Sequence, residues 1–425
     1  MRIGMYLPEI SPDLGGGFTV EDDVFRCLIE KAGTSRHHFM IFCPPSGDLN
    51  ITESGNVEVV RVRWLRWRKA RSVVVATFNN ILWRVFRFPR LIQNEGFLDG
   101  LLNQHKVDVY LNISQPSYMT DIPYIAVQWD LQHRIQPFFP EVSAGGRWYR
   151  WEDRFSVLLR RAARIVTGSQ AGKREIESFY HVPAERIRVI PLPVPSYVSR
   201  LAVSNPRTIV NELGIKCAYL LYPAQFWPHK NHVNLLHAFK ILREQGCELD
   251  LVLVGSDKGN SDYVKRVATE LGVLPHVHFL GFVERTTLIA LYKEAFALPF
   301  VTFFGPDNIP PLEAFALDCP VVVSRWAGVE EQLGDAALLA EATNPEEIAR
   351  EILRLYDPGL RSTQIAKGRQ RALLLPTVKY IDGLFSVLDD FEPVRRCWGQ
   401  HADYQNNYPL AASLRKLFGI KKPRG

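Results

Sequence analysis

The sequence of 425 residues contains no run of ~18 consecutive apolar residues, so it predicts no membrane-spanning helix. Its first ten residues, MRIGMYLPEI, lack the apolar region of a secretory signal, and we therefore expect a cytoplasmic protein. The six cysteines include no CxxC pair, so neither disulfides nor a zinc site is expected. Four of them adjoin apolar segments and are predicted to be buried thiols: Cys43, Cys217, Cys247 and Cys319.

Two common nucleotide-binding loops are also absent. The sequence contains neither GxxxxGK followed by Ser or Thr, nor the GxGxxG turn. These loops hold phosphates in ATPases and in dinucleotide enzymes respectively, so neither class is supported.

The formal net charge of +6 is unevenly distributed. Residues 392–425 contain seven basic and two acidic residues, and residues 61–71 (RVRWLRWRKAR) contain no acidic residue. The rest of the chain is close to neutral, which argues against a general nucleic-acid surface. The two basic segments also carry tryptophan or leucine, a composition typical of contacts with anionic membrane surfaces. We therefore expect peripheral membrane contact through 61–71 and 408–425, with a solvated face as the alternative.

Short apolar segments alternate with helical periods along the whole chain, which predicts parallel sheets buried on both faces. The pattern restarts after a proline-bearing stretch near residue 200. We predict an α/β protein with two Rossmann-like doubly wound domains, at 1–195 and 209–376. The rest of the chain is divided into a linker at 196–208, a C-terminal helix at 377–391 and a basic tail at 392–425. Ligands of such sheets bind at the carboxyl ends of the strands, so the cleft between the domains is the expected site.

The stretch TFFGPDNIPPLEAFALDCPVVVS suggests a phosphate site at a helix start. Asn308 is a favourable N-cap, and the prolines after Ile309 fit the first turn, where a missing N–H breaks no helical bond. A helix N-terminus attracts anions, so the N–H groups of Asn308 and Ile309 are predicted contacts. Glu313, one turn further, is predicted to bind a sugar diol. The alternative is an ordinary capped helix with a surface glutamate.

A second loop, YPAQFWPHKNH, follows a strand and offers Gln225, His229 and Lys230 close together. The lysine is a candidate for neutralising a diphosphate, although a solvated lysine is the alternative. The loop PDLGGGFT includes Gly16 and Gly17, which allow close approach of backbone to a ligand or make a tight turn.

The segment QWDLQHRIQPFFPEVS lies at another predicted strand end. Its Asp130 and His133 are candidates for substrate contact or proton transfer. Lone Asp and His residues also cap turns, which is the alternative for both.

Taken together, these features resemble the retaining glycosyltransferases of the GT-B fold, family 4. The resemblance covers about residues 1 to 390 and is carried by LVLVGS, VHFLGFV, NIPPLEAFALDCPVVVS and GVEEQLGDAALL. It implies transfer of a sugar from a nucleotide-sugar donor with retention at the anomeric carbon and without a metal or another cofactor. The absence of a DxD pair agrees with that expectation. The resemblance also implies that the donor binds the second domain and the acceptor the first.

Site residues are carried over by position. Glu313 matches the ribose-binding glutamate and Lys230 the diphosphate lysine, while Asn308 and Ile309 match the backbone that holds the diphosphate. The remaining donor-pocket positions are Gly16, Gly17, Gly255 and Val283.

Three positions depart from the family pattern: Gly305 replaces a glutamate, Gln225 an arginine and Trp129 a histidine. Asp307 and His229 are the expected substitutes for contacts to the sugar. The main hypothesis is a hexosyltransferase that moves mannose or a deoxyhexose to a polysaccharide or lipid-linked glycan. A catalytically inactive paralogue that binds glycans or partners is the alternative hypothesis.

Overall fold

The computed structural model describes residues 1–7, 16–44, 55–62, 96–305 and 307–399. The predicted membrane segment 408–425 and nearly all of 61–71 lie outside these ranges, as does the first part of the glycine loop. No helix among the described residues combines the length and apolar character needed to cross a membrane.

The first half of the chain forms one seven-stranded sheet. Its strand order is β3-β2-β1-β4-β5-β6-β7, and all its pairings are parallel. Most of the strand residues are apolar and buried, as expected for a sheet covered on both faces. The strands are β1 (Arg2–Tyr6), β2 (His38–Cys43), β3 (Val57–Arg61), β4 (Val109–Leu111), β5 (Tyr124–Val127), β6 (Arg164–Thr167) and β7 (Ile187–Val189).

Helices connect these strands and cover the sheet. The helices of this half are α1 (Gly16–Ala32), α2 (Gly96–Gln104), α3 (Gln132–Ile135), α4 (Pro140–Ser143), α5 (Arg147–Arg161) and α6 (Gln170–Tyr180). Helix α6 begins after Ser169, whose side chain accepts a hydrogen bond from the N–H of Gly172.

The second half contains two three-stranded parallel sheets, ordered β10-β9-β8 and β11-β12-β13. They meet where the N–H of Leu221 donates to the carbonyl of Ala297 at 3.0 Å. The combined order, β10-β9-β8-β11-β12-β13, is that of a doubly wound sheet. The strands are β8 (Ala218–Pro223), β9 (Leu249–Val254), β10 (Val277–Gly281), β11 (Leu298–Phe300), β12 (Val321–Ser324) and β13 (Ala337–Ala340). The predicted fold class, α/β with two Rossmann-like units, is confirmed.

The helices of the second half are α7 (Tyr197–Arg200), α8 (Pro206–Glu212), α9 (His232–Glu244), α10 (Ser261–Glu270), α11 (Arg285–Glu294), α12 (Ile309–Ala316), α13 (Val329–Leu333), α14 (Pro345–Arg354), α15 (Pro358–Leu373) and α16 (Thr377–Arg395). The predicted linker contains α7 and the first residues of α8. Helix α16 runs to Arg395, past the predicted end at 391. It packs against α1, and its Ile381 and Leu384 join the core of the first sheet. The domain limits themselves stay a prediction.

The cysteine prediction is correct for two of the four residues. Cys43 and Cys319 are buried, but Cys217 is exposed and Cys247 is only partly buried. Cys217 precedes Ala218, the exposed first residue of β8, so its side chain lies at the end of the strand outside the core. Proximity to an apolar segment was therefore insufficient to predict burial.

The carboxyl end of β9 requires glycine. Gly255 has a φ of 151°, and its N–H donates to the carbonyl of Gly281 at 2.8 Å. A Cβ at this position would lie 2.8 Å from the backbone nitrogen of Gln225 and closer still to the carbonyl of Ala224. The loop after β8 can therefore approach β9 only because Gly255 has no side chain.

We expect Gly255→Ala to lower the free energy of unfolding by roughly 2–4 kcal/mol, because the new methyl group meets backbone atoms at a strained φ. Urea denaturation of the full chain measures the change. Gly100→Ala is the matched control: it lies in α2, has open space around its Cβ position, and should be neutral or stabilising by up to about 1 kcal/mol. Equal losses in both variants would contradict this explanation.

Candidate active site

The segment from α3 to α4 connects the two halves of the chain. Gln132 donates from its side-chain amide to the carbonyl of Gly305 at 2.6 Å, and Gln136 donates to the carbonyl of Phe303 at 2.7 Å. Phe139 packs its ring against Phe303 and Phe304, with centroids 5.4 and 5.2 Å away. The loop after β11 is therefore held against the first domain.

Glu141 and His229 form a second contact across the cleft. The Glu141 carboxylate accepts from the backbone N–H of His229 at 2.9 Å and from its ring Nδ1. The imidazole also stacks on Phe304, with ring centroids 3.9 Å apart. Removal from water lowers the pKa of His229 to about 4, so the ring is neutral at pH 7 and donates from Nδ1.

Lys230 lies at the end of the 3₁₀ turn Pro228–Lys230, between β8 and α9. The Tyr222 hydroxyl donates to its carbonyl, and its ammonium lies 5.1 Å from the centroid of Phe300. Within the described ranges, no hydrogen bond or ion pair reaches that ammonium. Loss of hydration lowers the pKa of Lys230 to about 8, although nearby Asp130 and Glu141 partly offset this effect. The arrangement leaves a cation available to an anionic ligand.

One aspartate from each domain contributes a buried carboxyl group to the cleft. Asp130, whose side chain accepts from the N–H of Gln132 at 3.1 Å, lies near Lys230, and its pKa is raised by burial. Asp307, from the other domain, occupies the space where a Cβ of Gly168 would lie. Burial, with Asp130 as the next contribution, raises the pKa of Asp307 to about 8. The two aspartates predicted separately are thus brought together.

Helix α12 begins at Ile309 directly after Asn308, so its predicted start is confirmed. The contacts differ from those expected. The N–H of Asn308 donates to Oε1 of Gln332 at 3.0 Å, and the Asn308 side chain donates to the carbonyl of Phe304 rather than capping the helix. The side chain of Ile309 packs into the core of the first sheet. A diphosphate bound to the N–H of Asn308 would have to displace Gln332.

Glu313 is buried and already bonded. Tyr197 donates to its Oε1 at 2.8 Å, and Tyr292 donates to its Oε2 at 2.7 Å. Burial still raises the pKa of Glu313, although both hydroxyls act to lower it. Each carboxylate oxygen can accept a second bond, so these contacts leave capacity for a ribose hydroxyl.

The three departures from the family pattern have local explanations. At Gly305, a Cβ would collide with the indole ring of Trp326, so Trp326 occupies the space of a side chain there. Gln225 donates to the Ser256 hydroxyl at 3.1 Å and accepts from the Trp227 indole at 3.0 Å. Trp129 is partly buried against the core of the first sheet.

The other predicted site residues are more dispersed. The ring of His133 lies 3.1 Å from the Tyr180 hydroxyl and packs on Phe155, which places it inside the first domain. Its role in proton transfer stays a prediction that these contacts do not favour. Val283 is partly buried against the second core, and Gly16 and Gly17 form the first turn of α1.

Sequence reasoning missed several acidic residues at the cleft. Glu141 lies within the segment that had been singled out for Asp130 and His133, and a carboxylate next to aromatic residues was its available signal. Glu175 in α6 and Glu331 in α13 carried no sequence signal that could have identified them. The Glu331 carboxylate accepts from the N–H groups of Gln170 and Ala171, at the start of α6. A helix start in one domain is thus bound by an acid from the other.

We expect stability to fall as the pH is lowered from about 6.5 to 4. The unfolded chain then binds protons that buried, neutral His229 does not, which costs roughly 3 kcal/mol over that range. Replacing His229 with asparagine should make the dependence less steep, while buried His232, whose pKa burial lowers to about 3, keeps contributing to it. Urea denaturation at several pH values measures the slope. His237→Asn, at an exposed position of α9, is the control and should leave the slope unchanged. An unchanged slope in the His229 variant would contradict this prediction.

We expect Glu313→Ala to lower the free energy of unfolding by about 3 kcal/mol, because two buried tyrosine hydroxyls lose their acceptor. Glu313→Gln preserves the shape and can bond both hydroxyls, so its loss should stay below about 1 kcal/mol. Chemical denaturation of both variants provides the comparison. The prediction fails if the two substitutions destabilise the protein equally.

The sequence matches two family profiles. Residues 24–196 match "Glycosyltransferase Family 4", and residues 209–371 match "Glycosyl transferases group 1". Together these profiles span most of the chain and include strands of all three sheets.

Two curated proteins that are named O-antigen chain mannosyltransferases are similar to part of this chain. The chain is 29% identical to O-antigen chain mannosyltransferase B of Escherichia coli over 237 residues, which are 55% of this chain and 62% of that protein. It is 28% identical to O-antigen chain mannosyltransferase RfbU of Salmonella typhimurium, over 53% of this chain and 59% of that one. The chain therefore spans about 60% of the length of these relatives.

Solved structures share the fold at low identity. Sucrose-phosphate synthase from Thermosynechococcus elongatus has a TM-score of 0.66 at 15% identity, over 92% of this chain and 99% of that one. HepE of Anabaena, in complex with UDP and glucose, has a TM-score of 0.63 at 18% identity, over 92% and 100%. The two profiles and the shared two-domain architecture confirm the resemblance: this chain belongs to the family 4 glycosyltransferases of the GT-B fold.

Proposed function

We propose that the protein is a retaining glycosyltransferase that moves a hexose from a nucleotide-sugar donor to a glycan acceptor. The observation that carries the proposal is the ammonium of Lys230, which lies at the cleft without a bonded counter-ion among the described residues. A diphosphate is the ligand that such a cation at an interdomain cleft would neutralise.

The chemistry depends on charge. When the bond between sugar and diphosphate breaks, the leaving group gains negative charge while the sugar becomes oxocarbenium-like. In this mechanism Lys230 stabilises that charge where it develops, and the start of α12 adds its positive dipole end. The leaving phosphate then takes the proton of the acceptor hydroxyl on the same face of the sugar, so no metal or other cofactor is required.

The names of two relatives support a proposal for the sugar and the acceptor. Two proteins that share nearly 30% identity with this chain are named O-antigen chain mannosyltransferases. Mannose or a deoxyhexose is therefore the proposed hexose, and a polysaccharide or lipid-linked glycan the proposed acceptor. Peripheral contact with the cytoplasmic face of a membrane, through 61–71 and 408–425, belongs to the same proposal.

A non-catalytic GT-B protein that binds glycans or partners is the second candidate. Two observations favour it. Trp326 fills the space that a side chain at position 305 would need, and the N–H of Asn308 already donates to the side chain of Gln332. Release of nucleoside diphosphate from a donor distinguishes the candidates. Donor binding without any release would favour the second.

We expect Lys230→Ala to lower kcat/KM for release of nucleoside diphosphate by ~100- to 1000-fold, because one preorganised cation is lost from the leaving group. The assay first screens GDP-, UDP- and dTDP-sugars by thermal shift and then follows release with the donor that binds. The folded state should persist, since the substitution removes an ammonium whose lowered pKa reports unfavourable burial.

Lys240→Ala is the matched control, because Lys240 is a lysine of α9 paired with Glu244 at the surface. Its turnover should equal that of the wild type. A near-normal rate for Lys230→Ala would remove Lys230 from the proposed site.

A further inference from the structure

The turn that carries Lys230 is held through its neighbour His229. The carbonyl of His229 accepts from the backbone N–H of Phe303 at 2.8 Å and from the Thr302 hydroxyl at 3.1 Å. The imidazole of the same residue stacks on Phe304. The loop after β11 thus fixes one side of this turn within the second domain.

The other side of the turn is held from the first domain by Glu141. Its Oε1 accepts both the backbone N–H and the ring Nδ1–H of His229. The Glu141 side chain is only 6% exposed, and its Oε2 is buried without a hydrogen-bond partner among the described residues. Because His229 is neutral at pH 7, no bonded cation in this part of the structure offsets the charge of Glu141.

Among the described residues, four ionisable groups act on the ammonium of Lys230. Asp130 and Glu141 belong to the first domain, and their charge favours the cation. His229 and His232 lie on either side of Lys230 in the chain, and burial lowers their pKa values to about 4 and about 3, so both rings are neutral at pH 7. The acids that compensate this cation therefore come from the opposite domain.

We infer that Glu141 is a positioning residue for the transfer reaction: from the first domain it fixes the turn that carries Lys230 and supplies negative charge that keeps the Lys230 ammonium cationic. The inference rests on the proposed function, because that function assigns Lys230 to the diphosphate of the donor. Glu141 acts through Lys230 rather than on the donor, so the donor domain depends on the other domain for the charge of its own lysine.

The ionisation of these groups supports the same assignment. Burial lowers the pKa of Lys230 to about 8, so the ammonium is partly deprotonated at pH 8. Burial raises the pKa of Asp130. Burial also acts on Glu141, but the hydrogen bonds from His229 outweigh it and lower the pKa, so this carboxylate is charged at pH 7. Losing the charge of Glu141 should therefore move the deprotonation of Lys230 to lower pH.

Glu141→Gln separates charge from shape. The amide oxygen can still accept both hydrogen bonds from His229, but the negative charge is lost. We expect the pKa of Lys230 to fall by about one unit. Isothermal titration calorimetry on the full chain measures the affinity for a nucleoside diphosphate at two pH values, about 6.5 and about 8. The ligand is whichever of GDP, UDP and dTDP binds the wild type.

Between the two pH values, the affinity should fall about fourfold more in Glu141→Gln than in the wild type, because a lysine of lower pKa loses more of its charge over this range. Ionisation of the nucleotide and of Asp307, whose pKa is about 8, is common to both proteins, since Glu141 does not act on Asp307. A purely structural effect of the substitution would change the affinity equally at both pH values.

Two controls assign the effect. Glu177→Gln makes the same charge change in α6, at a residue that pairs with Lys173 at 3.9 Å, and it should leave the pH dependence unchanged. In a Lys230→Arg background, Glu141→Gln should also leave the pH dependence unchanged, because a guanidinium stays protonated over this range. Thermal unfolding at both pH values checks that each variant is folded.

Each outcome has a defined meaning. An equal fall in affinity for Glu141→Gln and the wild type overturns this inference while the proposed function stands. A larger fall that persists in the Lys230→Arg background overturns the action through Lys230. Failure of all three nucleotides to bind the wild-type chain overturns the proposed function and this inference with it.

Discussion

The partly buried ammonium of Lys230 is the feature on which the candidate site depends. An unpaired charge away from water is unfavourable, and the lowered pKa of this lysine reports that cost. The neighbouring acids Asp130 and Glu141 do not bond it directly. Burial raises the pKa of Asp130, whereas for Glu141 burial is outweighed by the hydrogen bonds from His229 and the pKa is lowered. In the proposed function, the diphosphate of a nucleotide-sugar donor supplies the counter-charge that this cation lacks.

The contacts that bring these groups together come from both domains. The α3–α4 segment holds the loop after β11 through two amide bonds and an aromatic cluster, while Glu141 holds His229 immediately before Lys230. Glu331 binds the start of α6, near Gly168. Asp307 and Asp130 can be neighbours only because these contacts close the cleft.

Much of the fold could be predicted from the sequence, but less of the site could be. Alternating apolar strands and helices were sufficient for two doubly wound units, and the Asn308–Pro310 pattern was sufficient for the start of α12. The predicted anion contact at the N–H of Asn308 did not anticipate Gln332, which is distant in sequence. Glu175 was missed because the sequence does not distinguish a buried glutamate in an amphipathic helix from a solvent-exposed one.

The sequence alone determined periodicity, helix starts and the position of Lys230 after a strand, because these depend on neighbours in the chain. It also placed glycine at 255, where two loops approach. Only the tertiary structure decided which charges face one another: Asp130, Glu175 and Asp307 lie on separate elements, and their ionisation depends on shared burial. The physical reason is that solvation and electrostatic interaction depend on distance in space, which sequence spacing does not encode.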